Sequence, residues 1–333
     1  MATLAIKAAQ RAAKVGALLS LCFAFAGTVQ ANPDRWRHAW PQTDFAKTSI
    51  DFDEIMSGGP PKDGIPSIDS PKFVAVADSG DLAATEPVIG LVVAGDARAY
   101  PLRILIWHEI VNDTVGGVPV AVTYCPLCNS AVVYDRRVAG EATEFGTTGK
   151  LRNSDLVMYD RKTESWWQQF LGVAIVGART GTQLKALPAR LESWERFAKR
   201  HPNGKVLVPN RPGMRAYGAN PYAGYDSNRL PFLYTGDYPD NIAPMARVVA
   251  IGNQAWALDL LRAKGQIESG DLVLSWEAGQ NSALDKRDIP QGRDVGNVVA
   301  QRRGADGLTD IPYDVTFAFV FHAFQPDGVW HLE

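Results

Sequence analysis

Cysteine is nearly absent from this chain, with three in 333 residues. That excludes the disulfide-dense framework of small exported domains. An excess of charge is missing too: 34 Lys and Arg face 36 Asp and Glu, for a formal net charge of -2. No basic surface advertises nucleic-acid binding. Beyond the first thirty or so residues, no apolar run is long enough to span a bilayer. The chain carries no G-x-S-x-G, and with no phosphate-binding glycine loop no nucleotide cofactor is expected. His108-Glu109 opens like a zinc-protease motif but continues Ile110-Val111-Asn112, so the second histidine is missing. No histidine follows Cys128 directly, which leaves covalent haem attachment unsupported. What remains is 46% hydrophobic and 21% charged, with 30 Gly and 21 Pro, the composition of a folded, turn-rich globular protein.

The first segment is built differently. Lys7, Arg11 and Lys14 precede the uncharged apolar stretch Val15 to Val29, and Val29-Gln30-Ala31 supplies small residues at a cleavage position. This is the pattern of a secretory signal peptide over residues 1–31. The expectation is a cut after Ala31, export to the periplasm or beyond, and a soluble mature chain. The sequence names no partner; export would allow a periplasmic protein partner. Leu21 stands before Cys22 where a lipoprotein signal needs a small residue, so Cys22 leaves with the leader. The mature chain then holds only Cys125 and Cys128.

The pattern of short β-branched and aromatic runs between turn residues predicts a β-rich α+β fold of antiparallel meanders with a few short helices. Residues 32–86 read as an irregular segment. A first lobe over 87–208 starts with a hairpin turning at Gly95-Asp96, then a helical stretch from Leu102 to Ile110, then a β-rich run from Val118 into Cys125. Leu191 to Arg200 reads as a helix. Residues 209–246 form a long irregular connection rich in Tyr, Pro, Asn and Gly, either a lobe-joining loop or an aromatic lid. Residues 247–333 repeat the first lobe in degenerate, truncated form. Gly95 to Leu102 resembles Gly252 to Leu258, Val122-Thr123-Tyr124 resembles Leu274-Ser275-Trp276, and Asn129-Ser130-Ala131 resembles Asn281-Ser282-Ala283. Phe197, Pro202 and Gly204 recur as Phe321, Pro326 and Gly328. On this alignment Cys125 faces Glu277, so only one lobe carries a site.

That site is Thr123-Tyr124-Cys125-Pro126-Leu127-Cys128-Asn129-Ser130-Ala131. A Cys-Pro-x-Cys turn between strands has the shape of a metal knuckle, with both sulfurs facing one point. Ala131-Val132-Val133-Tyr134 continues as strand, whereas a thioredoxin-type pair opens a helix whose N-terminus activates the first thiol. Two thiolates need further ligands. His108 is the nearest candidate, with Glu109 beside it, and Met158 is a weaker one. Softness of the donors points to copper, with zinc as the alternative. Two other readings stay open. Cys125 and Cys128 could be the catalytic pair of a thiol–disulfide oxidoreductase, or a disulfide bracing a ligand- or protein-binding module.

Four tracts together resemble a known family: Gly95 to Leu102, Trp107 to Asp113, Thr123 to Ala131, and Leu151-Arg152-Asn153-Ser154-Asp155-Leu156-Val157-Met158-Tyr159-Asp160. They are similar to the bacterial domain-of-unknown-function family DUF3179, over about Pro87 to Phe324. The family implies homology and no reaction. The Cys-Pro-Leu-Cys turn also resembles a rubredoxin knuckle, over four residues only; with no second knuckle, a four-thiolate iron site within the chain is excluded.

Overall fold

Two-residue turns with both residues at positive φ stitch the strands together. Such turns match the twist of the strands they join. Gly116-Gly117 links Ile110–Val115 to Val118–Cys125, and Asn153-Ser154 links Phe145–Arg152 to Asp155–Asp160. Ala94-Gly95 links Pro87–Val93 to Asp96–Pro101, one residue earlier than the Gly95-Asp96 turn expected from sequence. The computed structural model describes residues 33–333; the leader and its cut after Ala31 lie outside the described residues. Within them the fold is the expected one, α+β and β-rich, with small antiparallel sheets and a few short helices. Among the described residues no helix is long and apolar enough to cross a membrane.

The architecture is a duplicated frame. In the first copy one sheet orders its strands Ala189–Ser193, Pro87–Val93, Asp96–Pro101 and Lys205–Val208, with Lys72–Ala75 added at the edge. In the second copy Asp314–Phe317, Arg247–Ile251, Gln254–Ala257 and Val329–His331 occupy the same four places. The last pair is parallel in both copies and the others antiparallel. A second sheet repeats as well. Lys185–Leu187, Ser130–Asp135, Val118–Cys125 and Ile110–Val115 match Gly307–Asp310, Asn297–Gly304, Leu272–Glu277 and Gln266–Ser269. The seven-residue helices Leu102–His108 and Trp194–Arg200 match Leu258–Lys264 and Ala318–Phe324.

Three readings need correction at the level of elements. Helical spacing carried through Ile110, but the helix stops at His108 because Glu109 turns to φ 59° and Ile110 starts a strand. Leu191 to Ser193 are strand, and the helix begins only at Trp194. Asn281-Ser282-Ala283 is not the structural partner of Asn129-Ser130-Ala131. Cys125 pairs with Ser130 across the first turn, whereas Glu277 pairs with Asn297 across the second. Residues 278–296 are therefore a loop put in where the first copy has only 126–129.

The first copy has its own addition. Between Ser130–Asp135 and Lys185–Leu187 the chain inserts four strands of a further sheet, Phe145–Arg152, Asp155–Asp160, Trp166–Gln168 and Val173–Val176 in that order, and Ile55–Ser57 of the N-terminal segment joins its edge beside Phe145–Arg152. It packs its Leu156, Met158 and Trp167 into the same core as Tyr124, Cys125 and Cys128, to which Leu284, Phe317 and Phe319 of the second copy also contribute. Fully burying a side chain of Phe or Met size stabilises by about 1.5–3 kcal/mol. The thiol pair therefore sits where three pieces of the protein meet.

Candidate metal centre

Tight bonding shapes the turn that carries the cysteines. The Cys128 N–H donates to the Cys125 carbonyl and the Asn129 N–H to the Pro126 carbonyl, both at 3.2 Å. Asn129 closes the turn at φ 51°, a conformation asparagine tolerates better than most residues. The second copy then clamps the turn from outside. Thr316 Oγ1 donates to the Cys128 carbonyl at 2.7 Å and Asn129 Nδ2 to the Val315 carbonyl at 2.6 Å. The Ala131 N–H donates to Asp314 Oδ1 at 2.8 Å.

Both thiols are free and deeply buried, Cys125 2% and Cys128 0% exposed. Asp155 joins them: one ligand atom from each of Cys125, Cys128 and Asp155 lies within 4.8 Å of the others. Asp155 begins the strand that follows the Asn153-Ser154 turn, and it is 0% exposed. Its Oδ2 accepts from Gln168 Nε2 at 2.6 Å and from the Phe170 N–H at 2.9 Å. Its Oδ1 is buried with no hydrogen-bond partner of good geometry, the two thiols being the groups close enough to interact with the carboxylate. A buried carboxylate oxygen without a partner is costly unless something else compensates it. The electrostatics point the same way. Burial pushes both thiols above their ordinary range, Cys128 the further. Burial also raises the Asp155 carboxyl to about 6. Three acidic groups thus share a dry space, a setting that favours either protons or a cation.

Glu109 stands beside this group. Its side chain is 7% exposed and makes no hydrogen bond or ion pair among the described residues. Burial first, and the Asp155 charge second, raise its carboxyl to about 8. Its backbone carbonyl accepts from the Tyr124 N–H at 2.8 Å, which fixes it next to the strand entering Cys125. Non-glycine residues at positive φ outside the left-handed helical well typically cost on the order of 1–3 kcal/mol.

His108 is used elsewhere. Its Nδ1–H donates to the Pro66 carbonyl at 2.7 Å, and the Tyr217 hydroxyl donates to Nε2 at 2.8 Å. Burial and the nearby Arg215 charge lower its pKa, and the Pro66 bond only partly offsets them. Both ring nitrogens are thus committed, and the group of converging ligands includes no histidine. Met158 is fully buried in the core that it shares with Cys125 and Cys128.

The irregular connection roofs the site. Tyr225 Oη donates to the Leu127 carbonyl at 2.9 Å, within the cysteine turn. Ser154 Oγ, one residue before Asp155, donates to the Phe232 carbonyl at 2.6 Å. Asp155 is the candidate ligand that sequence reasoning passed over. The available signal was an acid at the head of Asp155–Asp160, a strand whose residues 156–159 are all apolar or aromatic. An acid in so apolar a strand must find a partner.

The sequence profile of the family described as "Protein of unknown function (DUF3179)" matches residues 62–328. No curated protein matches the chain. No solved structure matches it either.

Proposed function

The chain belongs to the DUF3179 family, and on that premise we propose that it is an exported metal-binding protein which holds one ion at Cys125, Cys128 and Asp155. It serves in metal handling or as a redox centre. The observation that carries this reading is the convergence of two buried thiols and a buried carboxylate with an unpartnered oxygen, all within 4.8 Å. A divalent ion with thiolate and carboxylate ligands would replace the protons that burial otherwise forces on them. The thiol pair alone favours copper. The carboxylate is a harder ligand and moves the preference toward zinc, which accepts sulfur and oxygen together in tetrahedral sites.

Thiol–disulfide exchange fits the site less well. An attacking cysteine needs an exposed, stabilised thiolate, whereas burial raises both thiols and hides them. A bracing disulfide would leave Asp155 Oδ1 without a partner. The test is elemental analysis of protein purified from the exported fraction, with a thiol count under denaturing conditions. Near-stoichiometric zinc or copper with two titratable thiols supports the reading. No metal and no free thiol overturns it. Mixed disulfides trapped by Cys128→Ser would favour the oxidoreductase.

A further inference from the structure

The duplicated frame supplies an internal control for Glu109. The helix Leu102–His108 ends at Glu109 with φ 59° and ψ -33°; its counterpart Leu258–Lys264 ends at Gly265 with φ 70° and ψ -38°. The equivalence extends to the next bond. The Tyr124 N–H donates to the Glu109 carbonyl and the Trp276 N–H to the Gly265 carbonyl, both at 2.8 Å. Glycine is the residue this backbone asks for, because a Cβ is penalised at positive φ. The second copy uses it. The first copy places a glutamate there, buries its side chain and gives it no hydrogen-bond or ion-pair partner among the described residues. The Glu109 carbonyl is bonded to the residue just before Cys125, and Ile110 after it pairs with Thr123, so Glu109 lies against the strand that enters the cysteine turn.

Everything else that makes the site is missing from the second copy along with the glutamate. Glu277 takes the place of Cys125, the loop 278–296 replaces the turn bearing Cys128, and no sheet corresponding to the one that carries Asp155 is present. We infer that Glu109 is the fourth ligand of the metal held by Cys125, Cys128 and Asp155, making a closed two-sulfur, two-carboxylate site suited to a four-coordinate divalent ion of the zinc class. The inference rests on the proposed metal site. Glu109 stands outside the compact three-residue group, so its side chain must rotate inward when the ion binds. Four negative donors around a divalent cation carry the same formal charge as the four-thiolate sites that bind zinc stably. A linear two-thiolate copper(I) centre would have no use for it.

The test uses the full-length mature protein, with zinc(II) and cobalt(II) as probes, and compares wild type with Glu109→Gly and Glu109→Gln. Glu109→Gly installs the residue of the second copy and relieves the backbone, so the fold is expected to hold. In the presence of chelator its melting temperature should equal or exceed that of the wild type. Zinc affinity, measured by chelator competition, should fall roughly 10-fold or more in both variants. The visible bands of the cobalt-loaded protein should change while sulfur-to-cobalt charge transfer persists. Copper(I) affinity should be unaltered. Equal zinc affinity and unchanged cobalt spectra in all three proteins would overturn the assignment of Glu109 and leave the three-residue site standing. A wild type that binds neither ion would remove the parent reading and this one together.

Discussion

At one place in each copy of the duplicated frame, the chain must pass from the second strand of a hairpin to its partner. After Val118–Cys125 it does so through residues 126–129; after Leu272–Glu277 it uses residues 278–296. The short passage puts two thiols in a rigid turn. The long one packs instead: the Asn281 N–H donates to the Thr85 carbonyl at 2.8 Å, and Ser282 Oγ accepts from Arg247 Nη2 at 2.8 Å. The contrast separates what the frame needs from what the site needs. Both copies keep the sheets, the helices and the helix-ending turn. Only one has buried sulfur, a buried acid on an added sheet, and a glutamate where the backbone suits glycine. The second copy is not idle, since its strand Asp314–Phe317 holds the cysteine turn in place.

Removing the sulfurs should erase the difference between the copies most completely. Cys125→Ser with Cys128→Ser is expected to abolish metal uptake, read as metal content per chain. Asp155→Asn should come next, lowering affinity in a chelator competition by at least the roughly 10–100-fold that losing an outer-shell partner of a ligand costs. If Asp155→Asn bound as tightly as the wild type, the added sheet would have no part in the site. His108→Ala sharpens the comparison from the other side. It should cost about 0.5–1.5 kcal/mol per hydrogen bond lost, to the Pro66 carbonyl and the Tyr217 hydroxyl, in denaturant unfolding, yet leave metal content unchanged. Lost metal with retained fold would instead restore His108 as a ligand.

A further prediction concerns the clamp. Asp314 Oδ2 is buried with no hydrogen-bond partner, and burial raises its carboxyl from 3.8 to about 7. The folded state therefore favours the protonated form. The resulting stability is fully present below the ordinary carboxylate range and is lost as pH rises through about 7. Unfolding of wild type and Asp314→Asn across pH 4 to 8 should show a decline in the wild type that the variant lacks. Parallel curves would mean that Asp314 is ionised throughout.

Much of this was readable in the residues. Alternating apolar runs and glycine-rich turns gave the β-rich class, and the recurrence of Phe, Pro and Gly after a helix marked the duplication. Cys125 and Cys128 stood out by their scarcity and spacing. Two things were hidden for physical reasons. Local helical spacing cannot reveal a residue forced to positive φ, so Glu109 and Ile110 looked like one more turn of helix. Nor does sequence distance measure proximity across sheets. His108 lies closer along the chain to the cysteines than Asp155 does, but the added sheet returns Asp155 to them. The imidazole faces the Pro66 carbonyl and Tyr217 instead.

X-ray absorption at the metal edge of the purified protein tests the central claim most directly, because it reads the donor atoms themselves. A divalent zinc-class centre should show two sulfur scatterers near 2.3 Å and oxygen scatterers near 2.0–2.2 Å, without the multiple-scattering pattern of imidazole. A metal-loaded protein with no sulfur shell, or with a histidine signature in place of the oxygens, would contradict the assignment of Cys125, Cys128 and Asp155.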